Sequence, residues 1–170
     1  KSIHHHYHDQ RQFISPHFHL DNRGPEPQLP ALKSLVEQFK PDIFAGIPTQ
    51  TGSPLSFLST RLSQFTKATR IFTTRGRETT TDAAEFHQAC DNIPNTLVII
   101  KSGQYIAGGY TEVAWSSPPS AHYKPMLKTG SMFLFSVNTQ LTYDNHNKDQ
   151  GIWCDKDNGP IFGNDDILVF

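Results

Sequence analysis

The stretch Thr96 to Ser117 reads T-L-V-I-I-K-S-G-Q-Y-I-A-G-G-Y-T-E-V-A-W-S-S, and the fold class turns on it. Thr96 to Lys101 opens it with a continuous apolar run of strand length. Such a run is what a strand covered on both sides requires, because successive side chains point to opposite faces. Ser102-Gly103 can turn the chain into Gln104 to Ala107, a hairpin partner. Gly108-Gly109-Tyr110-Thr111 then admits two readings. Adjacent glycines permit positive φ or the close approach of another segment. As a loop tip, Gly108, Gly109, Tyr110 and Thr111 would bind a protein partner, with Trp115 as exposed anchor and Ser116 beside it. As a bend or bulge, the same glycines serve packing, with Tyr110 and Trp115 buried and their polar ends hydrogen-bonded. The packing reading is favoured, since glycine pairs in strand-rich chains usually serve geometry.

Working outward, the sequence predicts further strands at Arg70 to Thr74, Met132 to Asn138, Gly151 to Cys154 and Asp166 to Phe170, with a polar turn at Asn145 to Gln150. Three helices are predicted as well. The first runs from Pro30 to about Lys40, with Leu32, Leu35, Val36 and Phe39 on one stripe. A second starts at Ser53-Pro54 and carries Leu55, Leu58, Leu62 and Phe65. A third, short helix is capped by Thr81, with Ala83, Phe86 and Cys90 on one side. The expected fold class is α+β: a β-rich sandwich of two sheets packed face to face, with a few flanking helices.

Composition narrows the function. At 170 residues, with 15 Lys and Arg against 16 Asp and Glu, the chain has the length of one domain and nearly no net charge. That balance gives no electrostatic reason to expect nucleic acid as a partner. No apolar run approaches the roughly 18 residues that cross a bilayer, so no membrane span is expected. Seven of the twelve prolines fall at or before Pro54, and six of the nine histidines at or before His19. Residues 1–30 show no sustained period and are read as a flexible Pro- and His-rich arm, leaving 31–170 as a single domain. Lys1 stands where an initiator Met would, which suggests a fragment or a processed chain.

Each chemistry-bearing cluster has a plainer alternative. His4, His5, His6, His8, His17 and His19 could chelate a transition metal, but a flexible arm is not preorganised, so adventitious binding or solvation is preferred. Cys90 with His87 three residues earlier is read as a buried structural thiol rather than a nucleophilic pair, and Cys154 likewise. Asp155-Lys156-Asp157-Asn158-Gly159 lacks the closing Glu of a calcium loop and is read as a turn held by its own Asx hydrogen bonds. Ser116-Ser117 and Asp166 do not make a hydrolase, for there is no nucleophile elbow and His122 and His146 lie in loop-like sequence. No catalytic residues, no metal and no cofactor are expected.

Four short motifs, in order, carry a family resemblance. Ala84 to Asn92 (A-E-F-H-Q-A-C-D-N) followed by Thr96 to Lys101 resembles the helix and strand of a TLDc domain. Ala107 to Ser117 (A-G-G-Y-T-E-V-A-W-S-S) is similar to its GGYT segment and W-S-S continuation. Phe133 to Ser136 resembles its F-L-F-S strand, and Gly159 to Gly163 with Asp166-Ile167 its G-P-x-F-G and D-I/L pair. The resemblance spans roughly Arg70 to Phe170, and the four motifs together are specific where each alone is weak. Two departures stand out. Arg75-Gly76-Arg77-Glu78 replaces a frequent R-D-G turn, and the chain stops at Phe170 where TLDc modules usually continue, so the domain is expected to be incomplete at its C-terminal end. The resemblance implies a β-sandwich with no established catalytic centre, acting as a protein-interaction module. It further implies links to oxidative-stress protection, binding of the vacuolar proton-pumping ATPase, and an intracellular, cytoplasmic location. The alternative is a structural scaffold subunit of a large assembly, tethered by its N-terminal arm.

Overall fold

The computed structural model describes residues 16–21, 54–74, 80–118, 126–146, 151–163 and 167–168. Thr96 to Ser102 forms β3 and Tyr105 to Thr111 forms β4, an antiparallel hairpin in which Thr96 faces Thr111 and Ser102 faces Tyr105. Gly103 makes the tight turn at φ 58°, a conformation that suits a residue without Cβ. On the other side of β4 lies β6 (Met132–Ser136), then β7 (Leu141–Asp144) at the edge. On the other side of β3 lie β1 (Pro16–Asp21) and β2 (Lys67–Thr73), giving six antiparallel strands in the order β2-β1-β3-β4-β6-β7. A second antiparallel sheet has the order β10-β9-β8-β5, from β5 (Met126–Lys128), β8 (Ile152–Cys154), β9 (Ile161–Phe162) and β10 (Ile167–Leu168). One α-helix, α1 (Thr80–Cys90), is found among the described residues. The expected β-rich sandwich is present.

Alternation along β3 divides the core in two. Leu97 and Ile99 point to one side, where they meet Phe18, Leu20, Ile106, Tyr110, Phe133 and Phe135. Val98 points to the other, toward Phe72, Phe86, Cys90, Trp115, Met132 and Phe162. The first face is closed by Leu55, Leu58, Leu62 and Phe65, all buried. These are the residues of the second predicted helix, and their inward stripe is as expected. The helix itself is corrected: only Ser56–Leu58 is regular, as one turn of 3-10 helix, and the rest is successive turns. Leu62 N–H donates to Leu58 O at 2.9 Å, but Leu58 N–H donates to Leu55 O and Phe65 N–H to Leu62 O, the tighter i to i+3 spacing. The predicted helix at 30–40 lies outside the described residues.

Residues 16–21, read from sequence as part of the flexible arm at 1–30, are the largest correction. They form β1, bonded to β2 on one side and β3 on the other, with a register shift between His17 and Phe18. His17 and His19 are therefore held on a strand rather than on a flexible arm. His17 is fully buried, its ring centroid 5.2 Å from that of Phe72 and 5.1 Å from that of Phe86. His19 Nδ1 lies 2.9 Å from Pro94 O. The arm's remaining residues lie outside the described ones.

Burial pushes the His17 imidazole down from 6.5 to about 3. A depressed histidine destabilises at low pH, because the unfolded chain takes up a proton near pH 6.5 and the native ring does not. Stability that is complete at neutral pH should thus be lost as pH falls below 6.5, by about 2 kcal/mol at pH 5 from this residue. Denaturation of the wild type and His17→Phe at pH 7 and pH 5 measures it. The difference between the two proteins should shrink or reverse toward pH 5; a constant difference would mean that the ring is protonated in the folded state.

Candidate functional site

The candidate loop is not a loop. Gly108, Gly109, Tyr110 and Thr111 lie within β4, paired on both sides with β3 and β6. A Cβ on Gly108 would run into the carbonyl oxygen of Val98 and come within 2.5 Å of the Phe135 ring. One on Gly109 would meet the Phe162 ring at 2.8 Å. The first glycine lets the sheet pack its own aromatic layer, and the second lets the opposite sheet close down. Tyr110 is buried against Phe133 and Phe65, and its hydroxyl donates to Asn95 Oδ1 at 3.0 Å. Burial, with the charge of Glu112 adding to it, pushes the Tyr110 phenol up to about 12. Thr111 ends the strand by accepting the Val113 N–H at 3.1 Å. Trp115 is 1% exposed, edge-on to Phe86 and Phe162, and its indole N–H donates to Thr96 Oγ1 at 2.9 Å. Ser116 is half-buried. The exposed-anchor reading of Trp115 is corrected, because its pocket lies between the two sheets.

A polar relay surrounds this core. His87 on α1 contacts Asp91 Oδ1 through Nδ1 at 2.8 Å, and Ser117 Oγ donates to Asp91 Oδ2 at 2.6 Å. His87 Nε2 lies 2.7 Å from Asp155 O and 2.9 Å from Asn158 O, in the turn between β8 and β9. The order is serine, aspartate, histidine, carbonyl. A hydrolytic triad needs the hydroxyl on the imidazole instead. Here the free end of the ring is spent on two backbone carbonyls, so the three residues tie α1 to the second sheet. Asp157 N–H donates to Asp155 Oδ1 at 2.9 Å, the Asx turn expected at that position. Asp166 and His122 lie outside the described residues.

Both cysteines are buried and free. Burial, reinforced by the charge of Asp91, pushes the Cys90 thiol up to about 12, and burial pushes Cys154 up as well. A raised, enclosed thiol is a poor nucleophile, since the thiolate is the reactive form. Among the described residues, no group of three or more His, Cys, Asp or Glu side chains is placed to hold a metal ion.

What does reach solvent is an edge. Tyr105, Leu141 and Tyr143 are each more than half exposed. Leu141 faces Ser136, which faces Ala107, while Tyr143 faces Leu134, which faces Gly109. By the two-residue period, Leu141, Tyr143 and Tyr105 therefore share the side of the sheet on which Phe162 meets Gly109. They extend that apolar surface past the cover of the smaller sheet. Asn138 ties the two hairpin turns at this end together, accepting from Ile106 N–H at 2.7 Å and donating to Gln104 O at 2.9 Å. Arg61 pins the same strand from the other face, bonded to both Asp144 oxygens at 2.5 and 2.6 Å, with its guanidinium over the Phe133 ring. Sequence reading missed this surface. The signal available was the alternating L-T-Y-D of 141–144, too short to separate from a loop.

Two packed antiparallel sheets, a short helix clipped to the smaller one and a packed double glycine at the centre define a β-sandwich module. A family model for the TLDc domain matches residues 51–168, and the chain belongs to that family. The match begins upstream of the motifs that carried the resemblance and takes in the turns at 54–65. Neither a comparison with curated proteins nor one with solved structures returns a match. No helix among the described residues is long and apolar enough to cross a membrane.

Proposed function

We infer that the chain works as a non-enzymatic interaction module, docking a protein partner at the β7 edge rather than at the double glycine. The observation that carries this is the exposure of Leu141 and Tyr143 on an edge strand of the larger sheet. An edge strand offers unpaired backbone groups to an incoming strand, and two large apolar side chains on one face add buried area and register. The partner that family membership favours is the vacuolar proton-pumping ATPase, in the cytoplasm, with oxidative-stress protection as the physiological setting. Raised, enclosed thiols support a protective role through binding rather than through peroxide chemistry. The scaffold alternative, which tethers the chain by its arm, is less well supported: residues 16–21 of that arm are occupied within the sheet.

Capture on the peripheral sector of the ATPase tests this. Leu141→Asp with Tyr143→Asp should weaken binding about 30-fold, the size of a lost apolar anchor pair. Thermal stability should barely move, because both side chains are exposed. Binding that survives the double change, or no binding by the wild type, would overturn the reading.

A further inference from the structure

We propose that Ser117 is a phosphorylation site for a proline-directed protein kinase, and that its modification releases α1 from the smaller sheet. The site is separate from the β7 edge and does not depend on what docks there. Three features converge on Ser117. It is exposed, it lies outside any strand or helix, and Pro118 follows it. Proline at that position holds the preceding residue extended, the shape a kinase cleft accepts. Two other serines of the chain, Ser15 and Ser53, also precede proline and serve as internal comparisons. Ser117 also joins a polar relay: its hydroxyl donates to Asp91, whose other oxygen contacts His87, which in turn meets the carbonyls of Asp155 and Asn158.

In the reaction, Ser117 Oγ attacks the γ-phosphorus of ATP and the bond from that phosphorus to the ADP oxygen breaks. The hydroxyl proton passes to the kinase's catalytic carboxylate. The products are phosphoserine and ADP. Phosphoserine lacks the donor that Asp91 accepts and carries roughly −1.5 to −2 charge at neutral pH. Two anions then stand where a 2.6 Å hydrogen bond stood. Repulsion displaces the Asp91 carboxylate, His87 loses the group that orients it, and the turn at 155–158 loses its tie to α1. Beneath the relay lie Phe86, Trp115 and Phe162, so release also loosens that part of the core.

The full 170-residue chain is incubated with MgATP and a proline-directed serine kinase, and phosphate is located by mass spectrometry. Phosphate should appear at Ser117 and be absent there in Ser117→Ala. Amide exchange in the modified chain should quicken at 86–91 and 155–158, and its melting temperature should fall by about 5 °C. Asp91→Asn, which removes the repelling charge, should be modified as readily but lose most of the added exchange. Phosphate confined to Ser15 or Ser53 would overturn the site. Modification at Ser117 with unchanged exchange at both segments would overturn the release.

Discussion

Trp115→Ala should cost about 3–5 kcal/mol of stability, the largest single-residue loss expected in this chain. Trp115 sits 1% exposed between the two sheets, edge-on to Phe86 of α1 at 5.6 Å and to Phe162 at 5.4 Å between ring centroids. Truncation opens a cavity that neither sheet can close without breaking its own ladder. It also strips Thr96 Oγ1 of the indole N–H it accepts, in a fully buried setting. A loss of that size is a large part of the 5–15 kcal/mol that typically holds a domain folded. Trp115→Phe keeps most of the volume and loses only the hydrogen bond and the second ring; it should cost about 1–3 kcal/mol. Urea unfolding followed by circular dichroism measures both. A cost for Trp115→Ala below 1 kcal/mol would return Trp115 to the surface role that its sequence context also allowed.

Gly108→Ala should destabilise by about 3 kcal/mol through the opposite defect, an added atom. The new methyl would collide with the Val98 carbonyl oxygen and with the Phe135 ring. The ring can rotate away, but the carbonyl is main chain of the neighbouring strand β3, so relief requires β3 and β4 to part locally. Overpacking of a closed core costs about 1–3 kcal/mol where side chains can yield, and more where the backbone must. Gly109→Ala meets only the Phe162 ring and should cost less. The ordering of the two variants is the diagnostic. If they matched, or if Gly109→Ala were the worse, ring movement rather than backbone contact would be limiting. If both were neutral while partner binding failed, the glycines would belong to an interface after all.

The residues that could be read in advance are those whose local pattern admits one environment. T-L-V-I-I-K has the pattern of a strand covered on both sides, and it became β3, with Leu97 and Ile99 on one face and Val98 on the other. The short helix ending at Cys90 was legible for the same reason, with Ala83, Phe86 and Cys90 all buried. Leu55, Leu58, Leu62 and Phe65 gave the right buried face but the wrong regularity. An i, i+3, i+7, i+10 stripe fits successive 3-10 and irregular turns nearly as well as an α-helix. β1 was missed because P-H-F-H-L-D carries a histidine at a core position, and a buried neutral imidazole looks like a polar residue until its neighbours are known. β5 and β7, at three and four residues, are too short for a periodic signal.

From its amino-acid order alone, this chain declared a β-rich sandwich, a central apolar hairpin and membership of the family that its G-G-Y-T and G-P-I-F-G segments mark. Alternation and turn chemistry are local, and local information survives in a linear string. Strand order was settled only in three dimensions, when residues 16–21 entered between β2 and β3 and carried His17 into the core. The same holds for the site. Whether Trp115 is an anchor or a core residue, and whether Leu141 is covered or bare, depends on where a second sheet of four short strands stops. That boundary is set by contacts between segments far apart in the chain, and no window of sequence contains them.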